Sequence, residues 1–197
     1  MMMKPVFHSF EPSFNKHRNT PNVEIEFRLG KKGNGFFDTN VGEDIFFKLK
    51  KALDKYDGWE KVNESSHDVY YGSKGKRTQI DCMTEEQTTE IKSSLVKLDH
   101  ISTDLPFDVR MSVSTEIPTE QNDDETYEDM KKKTRTSYVR KGLQIDMSMI
   151  SGNPEDMDDE DDMSYQVEFE IQNPKQVDNR DKLYNHIYKI KDLLDCL

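Results

Sequence analysis

Only two cysteines, Cys82 and Cys196, occur in the 197 residues. That excludes a disulfide framework and a thiolate zinc site, and the expectation is a reducing, intracellular location. No apolar run approaches the roughly 20 residues of a membrane-spanning helix, so a membrane partner is not expected. The first ten residues lack a basic-then-apolar leader pattern. Hydrophobic residues are scarce, 33% against 34% charged, and mean hydropathy is −0.93. The 10% share of aromatics is nonetheless too high for a disordered chain. The length fits one domain spanning residues 1–197.

What the chain holds in excess is acid, with a net charge of −11. Six acids fall within 120–129 and seven within 155–162, with no base in either tract. Without those thirteen, 28 bases face 26 acids. Blocks of like charge repel themselves, so residues 120–129 and 154–162 are expected to be solvated acidic loops. A pI near 5.0 also argues against a broad polynucleotide-binding face.

Residues 1–21 contain three prolines and read as an irregular segment. From residue 23 the chain alternates strictly. Val23, Ile25, Phe27 and Leu29 face one side; Glu24, Glu26 and Arg28 face the other. Ile45, Phe46, Leu49 and Leu53 recur at helical spacing, with Thr39 or Asn40 as the expected N-cap. Strands are expected at 68–71, 76–83, 89–100, 107–117, 131–139, 143–150 and 164–172, separated by turn residues. An amphipathic helix over 178–194 follows. About eight short strands with one or two helices predict an α+β, mostly β chain, an antiparallel barrel or sandwich with flanking helices.

The polar faces of these strands are charged and sorted by sign. Glu24 and Glu26 share one face; so do Glu168 and Glu170, with Gln166 ahead of them. Lys131, Lys133, Arg135 and Ser137 share another. Asp108, Arg110, Ser112, Ser114 and Glu116 line a third, and Asp146 and Ser148 a fourth. A strand period of two sends each set to one side only. One Glu-x-Glu strand is ordinarily a solvated face, and one Lys-x-Lys-x-Arg strand an edge. The combination is different. Converging carboxylates repel unless a hard cation such as Mg²⁺ or Mn²⁺ lies between them. Lysine and arginine strands suit phosphate oxygens. Together they describe a triphosphate site. The five histidines show no ligand spacing, and Cys82 is followed at the Cys-x5-Arg spacing by Thr88, which excludes a cysteine phosphatase.

The runs 22–30, 108–118, 131–138, 144–148 and 166–171 occur in an order that resembles the metal-dependent RNA 5′-triphosphatases of mRNA capping. These are the fungal and DNA-virus branch of the triphosphate tunnel metalloenzymes, and the compact length is most like the small chlorella-virus type. The resemblance implies an eight-stranded antiparallel barrel with a polar lumen. It implies that Glu24, Glu26, Glu168 and Glu170 bind Mg²⁺ or Mn²⁺. Arg28, Arg77, Lys92, Arg110, Lys131, Lys133, Arg135 and Ser137 would hold the triphosphate, with Lys97 the rival of Lys92. Glu116 and Asp146 would position water. The implied reaction is hydrolysis of the β–γ bond of triphosphate-ended nascent RNA. The implied partners are that RNA end and a separate guanylyltransferase. A monomer is expected, in the nucleus or cytoplasm of a host if viral. Two alternatives remain open: a tunnel enzyme for inorganic, thiamine or nucleoside triphosphates, and a non-enzymatic charged β interaction domain.

Overall fold

The computed structural model describes residues 3–120, 126–152 and 163–197. The strands are β1 (Val23–Lys32), β2 (Phe37–Asp38), β3 (Lys61–Gly72), β4 (Lys76–Asp81), β5 (Gln87–His100), β6 (Asp108–Pro118), β7 (Tyr127–Arg140), β8 (Leu143–Ser151) and β9 (Ser164–Ile171). The helices are α1 (Met3–His17), α2 (Glu43–Asp54) and α3 (Arg180–Leu194). In space the order is β1-β6-β5-β4-β3-β7-β8-β9. Strand β9 then pairs back onto β1 through Glu26–Glu170, Phe27–Phe169 and Arg28–Glu168. This closes an antiparallel barrel of eight strands, and β2 extends β1 at one end.

The hydrophobic core lies outside the barrel wall. Ile25, Phe27, Leu29, Val109, Met111, Val113, Ile145, Met147, Val167 and Phe169 cluster with the buried faces of all three helices. Phe10 of α1 sets its ring 5.7 Å from that of Phe27. Each such large apolar side chain contributes roughly 1.5–3 kcal/mol by burial. The alternate residues of the same strands therefore project into the lumen. Their ion pairs skip over intervening strands, which only the concave side allows: Arg77 of β4 reaches Glu116 of β6, and Arg135 of β7 reaches Glu168 of β9.

Four expectations are corrected. Residues 3–17 are a helix, not an irregular segment. Met3, Val6, Phe7, Phe10 and Phe14 form a buried stripe whose packing offsets the backbone bond lost at Pro12. The α2 N-cap position is Gly42, not Thr39 or Asn40. The Asn40 Oδ1 instead accepts from the backbone N–H groups of Gly42 and Tyr165, each at 3.1 Å, and ties the approach to α2 onto β9. Strand β3 begins at Lys61 rather than 68, because its inner face is polar and its outer face meets solvent, so no alternation marks it. Within the first acidic tract, Glu128 and Asp129 belong to β7, where neighbouring Tyr127 packs 5.0 Å from the ring of Tyr70. Residues 121–125 and 153–162, which hold the rest of both tracts except Glu120, lie outside the described residues.

Candidate active site

Register places the charged residues on the lumen face. On β1, Glu24, Glu26 and Arg28 stand opposite Ser114, Ser112 and Arg110 of β6. On the other side of β1, Glu26 and Arg28 stand opposite Glu170 and Glu168. Because β1 and β9 are neighbours, the two Glu-x-Glu pairs adjoin. Glu26 is 5% and Glu168 3% exposed.

Two ion networks line the walls. In the first, the Lys92 ammonium pairs with Glu24 and lies 2.9 Å from Glu116 Oε1. Ser114 Oγ donates to Glu24 Oε2 at 3.0 Å. Arg77 Nη2 lies 2.9 Å from Glu116 Oε1, and its Nε donates to Glu90 Oε1 at 2.9 Å. In the second, Arg135 holds three partners: Asp146 Oδ2 at 2.7 Å, Glu168 Oε2 at 2.8 Å and Ser148 Oγ at 3.1 Å. Lys133 Nζ lies 3.9 Å from Glu168 Oε2. Arg28 joins the strands across the seam, 2.8 Å from Glu26 Oε1 and 2.9 Å from Glu168 Oε1. Neither contact has hydrogen-bond alignment. Arg28 Nε, Glu168 Oε1 and Asp146 Oδ1 are buried without a hydrogen-bond partner.

This crowding moves protons. Burial, then repulsion from Glu24 and Asp146, pushes the Glu170 carboxyl up to about 7. Burial also raises Glu26, with Glu168 and Glu24 adding to it against Arg28. Burial acts against the charge of Glu168 too, but Arg28, Lys133 and Arg135 outweigh it and hold that carboxyl far below its usual range. Lys133 is pushed down to about 8 by burial and by Arg135, Arg28 and Arg77, against the pull of Glu168.

The donor set fits a hard divalent cation in its chemistry. It is all oxygen, Glu168 Oε1 is buried without a hydrogen-bond partner, and the charge on Glu170 is opposed by like charges. Among the described residues no three acidic or imidazole side chains close into a ready cage. The reason is visible: Glu24, Glu26 and Glu168 lean onto Lys92, Arg28 and Arg135.

Ten of the fourteen residues singled out from the sequence enter these two networks by direct ion pairing: Glu24, Glu26, Arg28, Arg77, Lys92, Glu116, Lys133, Arg135, Asp146 and Glu168. Glu170 joins them by register. Ser137 sits buried on the same face, opposite Asp146. Lys131 is near the start of β7, 3.7 Å from Asp129. Arg110 stands apart, in a bidentate pair with Asp99. Between Lys92 and Lys97, the first is built into the network and the second is exposed. Two lumen residues had gone unread, Glu90 and Asp99. The signal was there: Glu90-x-Lys92 and Lys97-x-Asp99 repeat the strand period.

A protein family described as mRNA capping enzyme, beta chain, matches residues 11–195. The chain is 26% identical over 175 residues to the mRNA-capping enzyme subunit beta of Yarrowia lipolytica, covering 82% of this chain and 42% of that protein's length. It thus spans less than half of that curated relative. Its fold is similar to the S. pombe Pct1 RNA triphosphatase, with TM-score 0.79 at 15% identity, covering 96% of this chain and 92% of the other. It is also similar to the Mimivirus capping enzyme triphosphatase, with TM-score 0.63 at 10% identity and 98% of both chains covered.

Proposed function

The chain belongs to the mRNA capping enzyme beta-chain family, and from that membership we propose that it hydrolyses the β–γ phosphoanhydride of a triphosphate-ended nascent RNA, releasing orthophosphate and leaving a diphosphate end. One observation supports this above the others. A single closed lumen sets the carboxylates of β1 and β9 beside the cations of β4, β5 and β7. Phosphoryl transfer needs charge neutralisation and in-line placement more than covalent chemistry, and this lumen supplies both.

Glu24, Glu26, Glu168 and Glu170 would hold a divalent cation, Mg²⁺ or Mn²⁺. When bound, it would supply positive charge to the γ-phosphoryl oxygens. Arg77, Lys92, Lys133, Arg135 and Arg28 bind and orient the polyphosphate. Glu116, clamped between Lys92 and Arg77, would accept a hydrogen bond from the attacking water. Asp146 fixes Arg135 from behind. Glu26 and Glu168 are buried, so their charges act in a reduced dielectric. Guanylyl transfer would then fall to a separate partner.

Phosphate release from γ-labelled triphosphate RNA, with Mg²⁺ or Mn²⁺ and then with excess EDTA, tests the proposal. Release that depends on the added cation is expected. Full activity in EDTA, or release only from inorganic tripolyphosphate and never from RNA, would overturn it.

A further inference from the structure

Arg110 is the lumen residue with the most elaborate mount, and none of the residues that build the mount has been given a role. Its Nε donates to Asp99 Oδ1 at 2.6 Å and its Nη2 to Asp99 Oδ2 at 3.0 Å. Its guanidinium carbon lies 4.5 Å from the centroid of the Phe37 ring. Lys32 Nζ donates to the same Asp99 Oδ2 at 2.7 Å. Phe37 is 8% exposed yet lies outside the main hydrophobic cluster. It pairs with Lys32 in the β1–β2 ladder, on the face that Glu24, Glu26 and Arg28 share. Gly30 makes the room: a Cβ there would lie 2.4 Å from the Phe37 ring and 2.1 Å from the Asp38 carbonyl oxygen. Asp108, the register partner of Gly30, accepts from the backbone N–H groups of Lys32 at 2.8 Å and Ser102 at 3.0 Å, which pins the ends of β1 and β6 together.

A hairpin that carries an aromatic side chain back over the lumen does little for the core. It does fix one guanidinium in orientation. One edge of Arg110, its Nε and one Nη2 N–H, is used by Asp99 and one face by Phe37, which leaves the Nη1 donors and the second Nη2 N–H for a ligand. Arg28 is its register partner on β1, so two arginines stand side by side at this end, each neutralised by a different carboxylate. A guanidinium held rigid by a fork and a ring spends little entropy when it meets a phosphate oxygen.

We propose that Phe37 and Asp99 are positioning residues that pre-orient Arg110, with Arg28 beside it, as the anion clamp for the polyphosphate at this end of the tunnel. The proposal rests on the reading of the lumen as a polyphosphate site and names the residues that set its grip.

The test compares Asp99→Asn and Phe37→Leu with Arg110→Ala, and uses Phe37→Tyr as the conservative variant. For each, KM and kcat on triphosphate RNA, the Kd of inorganic tripolyphosphate and the thermal midpoint are measured. Arg110→Ala is expected to raise KM and Kd about tenfold, the scale of one charge-assisted contact. Asp99→Asn and Phe37→Leu should raise both about three- to tenfold, with KM rising more than kcat falls, and Phe37→Tyr should stay near wild type. A merely structural role would lower the thermal midpoint and the active fraction while leaving Kd and KM unchanged, and that result overturns the proposal. So does an unchanged Kd in Arg110→Ala while wild-type chain remains active, an outcome that leaves the functional reading intact. If wild-type chain neither releases phosphate from RNA nor binds tripolyphosphate, the functional reading fails and the clamp fails with it.

Discussion

Arg28 and Glu168 are register partners across the β1–β9 seam, with Nη2 2.9 Å from Oε1. The last strand pairing of the barrel is thus accompanied by an ion pair in its own lumen. Glu168 also receives Arg135, and Lys133 stands 3.9 Å away. Three cations depend on one buried carboxylate.

Removing that carboxylate should therefore do two things. Glu168→Ala leaves buried charge uncompensated, so urea unfolding should show a loss of about 3 kcal/mol. Phosphate release should fall about a hundredfold or more, the scale of losing a key electrostatic group. Glu24→Ala, Glu26→Ala and Glu170→Ala should show the same loss of activity. Four variants that fold, by circular dichroism, and all retain near-wild-type rates would mean that the glutamates are not the site.

Glu170 yields the opposite sign for stability. Its carboxyl is raised from 4.5 to about 7. The protonated form is the one the fold prefers, so its contribution is complete below about 4.5 and is lost as pH rises through about 7. In EDTA at pH 8, Glu170→Gln should be more stable than wild type by about 2–3 kcal/mol. The advantage should shrink on acidification to pH 4, and adding Mn²⁺ should favour wild type. Denaturant titrations at the two pH values decide it; an advantage that persists at pH 4 would sink the assignment.

Tyr138 donates its buried hydroxyl to Asp54 and so ties α2 to β7. Burial works against the Asp54 charge, but this hydrogen bond and Lys50 outweigh it and hold the carboxyl below its ordinary 3.8. The stabilisation is present above that value and disappears as pH falls through the lowered one. Tyr138→Phe should cost about 1 kcal/mol at pH 7, a charge-assisted bond discounted for the half-exposed acid. The gap to wild type should close as the pH is brought below 3.8. A gap independent of pH would point to packing alone.

Strand periodicity made most of the barrel and its lumen legible. Val23 to Leu29 shows the reason: one face had to be apolar for the helices, and the other charged for the lumen. The same logic explains the failures. Residues 61–67 line a polar lumen on one side and face solvent on the other, so neither face carries an apolar mark. The helix over 3–17 hid behind Pro5 and Pro12, although Val6, Phe7, Phe10 and Phe14 hold its period. The role of Phe37 left no mark in the sequence, because its place over Arg110 depends on a two-residue strand too short to form a pattern.

The second acidic tract provides a contrast between number of acids and their placement. Ile150 and Ser164 are register partners, so the ladder itself joins β8 to β9. Replacing residues 155–162 with a short Gly/Ser linker should hold phosphate release within a few-fold, since changing loop length costs little once the ends are paired. Glu168→Ala and Glu170→Ala, a few residues on, should abolish it. Loss of release in the linker variant, beside active Glu168→Ala and Glu170→Ala, would put the cation on the wrong carboxylates.

The helices back only part of the wall. Strands β1, β6, β8 and β9 share the apolar cluster with α1, α2 and α3, whereas β4 contributes nothing to it. Local opening costs least where buried apolar contact is thinnest. Amide protons of β1 and β9 should then be the last to exchange with deuterated solvent, and those of β4 among the first. The glutamates ride on the slow wall, while Arg77 rides on the fast one. The barrel thus carries a gradient of backing around its wall, from the helix-covered β1 and β9 to the uncovered β4.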